Sequence, residues 1–345
     1  MKKIALLFCL LVINLSFSQQ YVYTGASSDI SALAIKDNYL YYGGYNLNSI
    51  YKINLAEGSS KTPVVVVTNI SGIKDLEFNG NDLYIAQFNG GTIKKVDVSS
   101  SNPILIDVLS GLGAPACLQF YNNYLYIGEA YGYKISRINL SVTNPTKEEV
   151  VPYANSPWKM KVYGNELYVA ETYGNKISKL NLLDTNPVLV DVVTNVNTPF
   201  CMDIKDNFLY FGFIFSKIDL ISSNPTPVNV NLTNWYGYGS NRWIFNNNYI
   251  YLANNNDILK YDLNNLSLND FENKEVNEIY PNPASNYVTI TNLKKEEKIK
   301  ITNSLGQIIK TLKVNSNGVI NVEDLETGIY YIKLENFKTY KLIKK

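Results

Sequence analysis

Two pairs of like charges stand two residues apart in this chain, Asp75 with Glu77 and Lys159 with Lys161. This spacing puts both members of a pair on one face of an extended strand. The charged residues that we expect to share a site are Asp75, Glu77, Lys159, Lys161, Asp203 and Arg242. If their strands converge, acids will oppose cations, and burial will shift their pKa values. The carboxylates could hold a divalent cation such as calcium, but the three cations suit an anionic ligand better. An ordinary solvated lining with a few ion pairs is the alternative.

A second set of candidates combines aromatic rings with polar neighbours. Its members are Trp158, Tyr131, Tyr173 and Trp235, together with the carboxylates Glu129 and Glu171. Flat rings beside Asn and Gly suit stacking on sugars or apolar ligands, with polar groups supplying hydrogen bonds. The chain contains 28 Tyr among 345 residues, so biased composition explains part of this pattern.

The absence of one residue type excludes several chemistries. The chain has no His, which removes the Ser-His-Asp triad, the His-dependent zinc sites and the imidazole proton switch. Charge argues against nucleic acid as a partner. Residues 19–275 carry 18 Lys and Arg against 23 Asp and Glu, and residues 276–345 carry 11 against 7. A nucleic-acid footprint would be strongly and locally basic.

An internal repeat must position the candidate residues. Six segments align on a Leu-Tyr or Ile-Tyr pair, and the marker tyrosines are 43, 42, 42, 42 and 41 residues apart. These markers are Tyr41, Tyr84, Tyr126, Tyr168, Tyr210 and Tyr251. Each unit contains four short apolar, β-branched and aromatic runs separated by Asn, Gly, Ser and Pro, which is typical of strands and turns. The sequence therefore predicts an all-β chain whose residues 19–272 form a six-bladed β-propeller.

The register of the repeat predicts which side chains face the central channel. The positions eight and six before each marker are apolar and should pack between blades. The positions nine and seven before the markers include the charged set and should face the channel. Cys117 and Cys201 share one of these positions two blades apart, beyond the roughly 7 Å limit for a disulfide. We expect two free thiols with a packing role, since no His is present to activate them.

Ring closure is also predicted from the spacing. In the middle blades the outermost strand lies 22 to 17 residues before the next marker, and the same count from Tyr41 reaches residues 19–24. The last blade needs such a strand, because its own residues 271–275 are charged and poor in β-formers. We therefore expect the segment around Tyr21 to Tyr23 to pair with the strand at residues 258–263 and to latch the ring.

The first 18 residues have the features of a secretory signal peptide. Lys2 and Lys3 precede a largely apolar run over residues 4–17, and the small residues Ser16 and Ser18 stand at the positions that a signal peptidase reads. No other stretch approaches the 18 or more apolar residues of a spanning helix, so we do not expect a transmembrane protein.

Beyond residue 272 the repeat stops. After a linker over residues 273–277, residues 278–345 are predicted to form a small immunoglobulin-like β-sandwich. Its motif residues are Tyr280, Pro281, Asn282, Pro283, Gly306, Gly328, Tyr330 and Lys344. In order and spacing they resemble the type A C-terminal sorting domain of the bacterial type IX secretion system. This resemblance implies the type IX machinery as a partner and a secreted or cell-surface location. A terminal module with only a structural role is the alternative.

The propeller units resemble, more loosely, the group with NHL repeats, YWTD repeats and gluconolactonase-like lactonases. The segment LYVAETYGNKISKLNL from Leu167 is similar to the NHL pattern, although Gln87, Glu129 and Glu171 replace the family's aspartate. The leading hypothesis is an exported, non-catalytic propeller that binds a glycan or a surface protein, without a cofactor. A metal-dependent lactonase- or lyase-like enzyme with its site in the channel is one alternative, and a surface scaffold without a pocket is another.

Overall fold

The structure is a computed structural model that describes residues 20–56, 58–212, 215–223, 225–230, 242–263, 279–290, 296–304, 306–334 and 339–345. The predicted signal peptide, the predicted linker and Trp235 lie outside these residues. Every named element in the described ranges is a β-strand. The chain divides into two compact units between residues 266 and 267.

The first unit contains six four-stranded antiparallel sheets, as the repeat predicts. Blades 1 to 3 each use four consecutive strands. Blade 1 is β2 (Ala32–Lys36), β3 (Tyr39–Gly43), β4 (Ser49–Asn54) and β5 (Val64–Thr68). Blade 2 is β6 (Ile73–Asn79), β7 (Asp82–Gln87), β8 (Thr92–Asp97) and β9 (Ile106–Leu109). Blade 3 is β10 (Pro115–Tyr121), β11 (Tyr124–Glu129), β12 (Lys134–Asn139) and β13 (Glu148–Val151).

Blades 4 and 5 follow the same order, and blade 6 borrows a strand from the beginning of the chain. Blade 4 is β14 (Pro157–Tyr163), β15 (Glu166–Glu171), β16 (Lys176–Asn181) and β17 (Val190–Thr194). Blade 5 is β18 (Met202–Lys205), β19 (Phe208–Phe211), β20 (Ser216–Asp219) and β21 (Val228–Asn229). Blade 6 is β22 (Arg242–Asn246), β23 (Tyr249–Asn254), β24 (Asp257–Asp262) and β1 (Gln20–Tyr23).

The latch predicted from the spacing is confirmed. Strand β1 pairs antiparallel with β24, with Tyr21 opposite Leu259 and Tyr23 opposite Ile258. Val22 is buried and belongs to a core cluster that joins blade 6 to blade 1. The innermost strands β2, β6, β10, β14, β18 and β22 contact one another in a closed cycle. The six blades therefore surround one axis.

The cores between blades use the positions that the register predicts. The residues eight before each marker are all buried, and they are Leu33, Leu76, Leu118, Met160, Met202 and Trp243. Burying a large apolar side chain contributes about 1.5–3 kcal/mol. Cys117 and Cys201 are buried and neither forms a disulfide among the described residues, as predicted. Burial raises the pKa of Cys117 to about 12 and also raises that of Cys201, so both thiols remain protonated and unreactive at neutral pH.

The second unit is a sandwich of two antiparallel sheets. One sheet has the order β25 (Ile279–Tyr280), β26 (Tyr287–Ile290) and β29 (Val319–Asn321). The other has the order β28 (Ile308–Val314), β27 (Glu297–Asn303), β30 (Gly328–Leu334) and β31 (Thr339–Lys344). Residues from both sheets form one buried apolar cluster. The β-sandwich predicted for residues 278–345 is therefore present.

The motif residues of the second unit connect its ends. The Asn282 side chain donates to the Lys341 carbonyl and accepts from the Ile343 backbone N–H, both at 2.8 Å. The Tyr330 hydroxyl donates to the Glu326 carbonyl at 3.0 Å. The motif around Asn282 thus holds the last strand in place.

Candidate functional site

The channel at the centre of the ring is nearly filled by side chains. Its cavity measures about 20 Å³, which is room for about one water molecule. The charged lining residues are Asp75, Glu77, Lys159, Lys161 and Arg242, and the apolar ones include Leu33, Met202 and Trp243. The structure therefore brings the predicted charged set together, but it leaves little space between these side chains.

Two buried ion pairs occupy the acids of the channel. The Lys159 ammonium lies 2.7 Å from Asp75, and the Lys161 ammonium lies 3.0 Å from Asp203. Asp75 also accepts from the backbone N–H of Leu118, and Asp203 from that of Phe245, both at 2.9 Å. Each carboxylate therefore joins its own blade to two others. This arrangement satisfies buried charges with partners and hydrogen bonds, as a stable core requires.

The other two charged residues of the channel, Arg242 and Glu77, do not take part in these ion pairs. Arg242 donates through Nη1 to the carbonyls of Phe200 at 2.9 Å and Trp158 at 3.2 Å, and it forms no ion pair with any described residue. Burial raises the pKa of Glu77, although Lys161 and Lys159 act in the opposite direction. Burial thus acts against the ionised form of this carboxyl group.

The channel carboxylates do not fit a divalent cation. Asp75 and Asp203 each already accept from a lysine ammonium within 3.0 Å, and that ammonium would repel a metal ion placed between them. Calcium needs six to eight oxygen ligands. The described residues contain no group of three or more acidic or Cys side chains placed to hold a metal.

Glu129 and Glu171 lie away from the channel and support the loops of their own blades. Both are buried. Glu129 accepts from the Gly113 backbone N–H at 2.7 Å and from the Ser136 hydroxyl. Glu171 binds Asn155 and Ser178 in the same way in the next blade. Because these groups link the loop before the innermost strand to the third strand of the same blade, neither carboxylate is presented to solvent.

A row of aromatic rings runs across one end of the channel, and we call it the aromatic belt. It consists of Tyr45, Phe88, Tyr131, Trp158 and Phe200, which come from blades 1 to 4 and the start of blade 5. Phe88 lies at its middle, 6.3 Å from Tyr45, 5.2 Å from Tyr131 and 5.6 Å from Trp158 between ring centroids. Trp158 continues the row to Phe200 at 5.1 Å. Such edge and tilted contacts stabilise one another and fix the rings in place.

Local backbone geometry explains why the belt forms. Trp158 and Lys74 are each the extra residue of a β-bulge in the innermost strand, so they leave the alternation that sends their neighbours into the channel. In blades 2 to 5, one residue just before the innermost strand has a left-handed backbone conformation, and in blades 2 and 4 it lies two positions before Lys74 and Trp158. These residues are Gly72, Ala114, Ser156 and Thr198. For the non-glycine residues this conformation costs roughly 1–2 kcal/mol each, and strain of this kind clusters at functional sites.

Lys74 is a member of this site that the sequence analysis missed. Its ammonium lies 5.0 Å from the ring centroid of Tyr45, 5.5 Å from Trp158 and 5.8 Å from Phe88. Burial, and then repulsion from Arg242, lower the pKa of Lys74 to about 8. No carboxylate among the described residues pairs with it. The alternation of the strand gives no signal for such a residue, because the bulge interrupts it.

The outer rim of the belt is exposed to solvent. Tyr131 is 55% exposed and Tyr173 is 51% exposed, and a hydrogen bond between their side chains raises the pKa of Tyr131. The backbone N–H groups of Tyr131 and Gly132 donate to the Gly113 carbonyl, which fixes this loop. A Cβ at Gly113 would lie 2.6 Å from the backbone of Gly132, so only glycine permits this approach. Trp158 is held by its indole N–H, which donates to the Ser156 hydroxyl at 2.9 Å.

A second cavity of about 220 Å³ lies between blades 4 and 5. Its lining includes the amides Asn195, Asn197 and Asn229 beside apolar Val196 and Phe211. None of its lining residues is charged. It offers fewer aromatic surfaces than the belt.

Comparison with known proteins identifies the second unit. Residues 278–345 match the family model of the secretion system C-terminal sorting domain. The sorting domain predicted from the motifs is therefore confirmed, and the chain is an exported cargo of the type IX secretion machinery. No curated protein matches the chain. The described residues include no helix with the length and apolar character needed to cross a membrane.

Solved structures share the fold of this chain at low identity. A streptogramin B lyase is 11% identical with a TM-score of 0.53, and the match covers 94% of this chain and 97% of the lyase. A catalytically inactive virginiamycin B lyase from Staphylococcus aureus with quinupristin, in which a histidine is replaced by alanine, is 15% identical with a TM-score of 0.51. That match covers 94% of this chain and 98% of the lyase. These likenesses show the propeller-like fold alone.

Proposed function

We propose that the propeller is a non-catalytic carbohydrate-binding module, which the sorting domain delivers to the cell surface or the medium. The sugar stacks on the aromatic belt and on the exposed tyrosines at its rim. The continuous row of rings from Tyr45 to Phe200, with Tyr131 and Tyr173 open to solvent, is the observation that carries this proposal. Tyr131 and Tyr173 are exposed, whereas Tyr45, Trp158 and Phe200 are partly buried and Phe88 is buried in a small core cluster. The exposed aromatic surface at the rim is of the kind that marks a binding site, and the hydroxyl groups of the two tyrosines can form hydrogen bonds with the hydroxyls of a sugar.

In this proposal the channel residues do not bind the sugar but keep the blades that carry the aromatic belt in place. A cavity of about 20 Å³ does not admit a sugar ring, and Asp75 and Asp203 already bind Lys159 and Lys161. The ion pairs hold blades 2 to 6 at fixed distances. That rigidity keeps the rings of the belt in place before the ligand arrives, which reduces the entropy lost on binding.

A lyase-like enzyme in the channel is less well supported. The similar virginiamycin B lyase is inactive when one histidine is replaced by alanine, and this chain contains no His. The channel carboxylates also do not fit the metal that a lactonase-like site would hold. A scaffold without a pocket would leave the exposed rings and the repeated backbone strain beside the belt without a purpose.

A glycan array followed by calorimetry on the full secreted chain tests the proposal. We expect at least one saccharide to bind, and Trp158→Ala to weaken its affinity about tenfold, which corresponds to ~1.4 kcal/mol. Tyr287→Ala is the matched control, because Tyr287 is 55% exposed like Tyr131 but lies in the second unit. Absence of binding to every saccharide, or equal affinities of the Trp158 and Tyr287 variants, would count against a carbohydrate site on the belt.

A further inference from the structure

We propose that the ligand of the aromatic belt is an acidic saccharide, and that Lys74 and Arg242 bind its carboxylate or sulfate group. This inference rests on the proposed function and names the class of sugar. Such a ligand needs a net positive charge at the belt and hydrogen-bond donors that can reach its acidic group.

The charge balance at this end of the channel is positive. Lys159 and Lys161 are each neutralised by an aspartate within 3.0 Å. Lys74 and Arg242 have no carboxylate partner among the described residues, and they are close enough for Arg242 to lower the pKa of Lys74. An anion placed between them would replace this repulsion by two attractions.

The one remaining acid of the channel does not supply that anion. Burial raises the pKa of Glu77, and the Coulombic attractions that partly offset this come from Lys161 and Lys159. Lys161 and Lys159 are the cations that act most strongly on the pKa of Glu77. The two cations at the belt therefore depend on an external partner for neutralisation.

The donors of both cations are placed for a bound group. The ammonium of Lys74 lies over three neighbouring rings of the belt, Tyr45, Phe88 and Trp158, and the residue retains partial exposure. Arg242 uses Nη1 for two carbonyls, and a guanidinium has further N–H donors on Nε and Nη2. Among the described residues, the hydrogen bonds of Arg242 use Nη1 alone, and 8% of the residue is exposed to solvent.

The surrounding charge favours a short acidic sugar over a polyanion. Residues 19–275 carry five more acidic than basic residues, so the propeller as a whole repels a long polyanion. A single carboxylate or sulfate beside a flat sugar face matches two cations that adjoin a row of rings. An acidic peptide would match the charge, but it would use the stacking surface less fully.

The test compares tetragalacturonate with its full methyl ester, which keeps the sugar rings and removes the charge. Titration of the full secreted chain at pH 7 should show at least tenfold tighter binding of the acid than of the ester. Lys74→Met should reduce this acid-to-ester ratio, because Arg242 alone then faces the acidic group. Lys217→Met is the matched control, because Lys217 also lies over two rings, Phe208 and Tyr210, but on blade 5. This variant should keep the full ratio.

The outcomes separate this inference from the proposed function. A sulfated galactan tetrasaccharide replaces the carboxylate by sulfate, and a preference for either acid over its neutral form supports the inference. Equal binding of acid and ester, or an unchanged ratio in Lys74→Met, overturns it and leaves carbohydrate binding intact. Binding of an acidic hexapeptide but of neither saccharide overturns both, as does a failure of every saccharide to bind.

Discussion

The interior of the channel and the aromatic belt are built from the same innermost strands, yet their charges are treated in opposite ways. Lys159 follows Trp158 directly, and Asp75 follows Lys74. Lys159 and Asp75 are buried and bound to each other, whereas Lys74 and Trp158 meet at the belt. A single bulge residue separates the two environments. Regular strand positions therefore join the blades, while the bulged positions supply residues of the proposed binding surface.

The largest expected effect comes from breaking a channel ion pair. Lys159→Met leaves the buried Asp75 without its ammonium, which should lower the free energy of unfolding by about 3–5 kcal/mol. Lys94→Met is the control, because its partner Asp107 is exposed and a surface pair contributes about 0–1 kcal/mol. Urea unfolding measures both. If the two variants lose the same stability, the channel charges do not join the blades.

A smaller effect is expected at the latch. Val22 is buried between blades 6 and 1, so Val22→Ala should lower the free energy of unfolding by about 2 kcal/mol. Tyr21 on the same strand is 61% exposed, and Tyr21→Ala should change stability by less than about 0.5 kcal/mol. Thermal unfolding distinguishes them. Equal losses would mean that β1 contributes nothing specific to ring closure.

The smallest expected effect is the pH dependence of Glu77→Gln. Burial raises the pKa of Glu77 in the folded chain, against Lys161 and Lys159 and together with Asp75 and Asp203. Its ionised form is therefore penalised by folding, and this penalty appears as the pH rises above the unfolded value near 4.5. The variant should gain stability over wild type at pH 8 and lose this advantage at pH 4. The urea midpoints of both proteins at the two pH values measure this stability difference. A variant that is more stable than wild type only at pH 4 would contradict a raised pKa of Glu77 in the folded chain.

Much of the fold could be predicted because its signals are local. The regular spacing of the marker tyrosines indicated six blades, and the same spacing placed Tyr21 to Tyr23 in the last sheet. The motif residues around Asn282 identified the sorting domain. These features depend on strand alternation and turn residues, which nearby sequence specifies.

The site was harder to predict because it depends on contacts across the ring. The sequence indicated that acids would oppose cations, but the pairing of Asp75 with Lys159 joins residues two blades apart. The rings of Trp158, Tyr131 and Tyr173 were predicted as candidates for stacking from their residue types and polar neighbours. Lys74 was missed, since the bulge that turns it toward the belt has no signature in the alternation of the strand.

A crystal structure of the full chain with bound tetragalacturonate would show whether an acidic saccharide binds at the aromatic belt. We expect a sugar ring against Trp158 or Tyr131 and a carboxylate oxygen within hydrogen-bond distance of the Lys74 ammonium. A saccharide seated in the cavity between blades 4 and 5, or one that contacts the channel residues Asp75 and Lys159 instead, would contradict it.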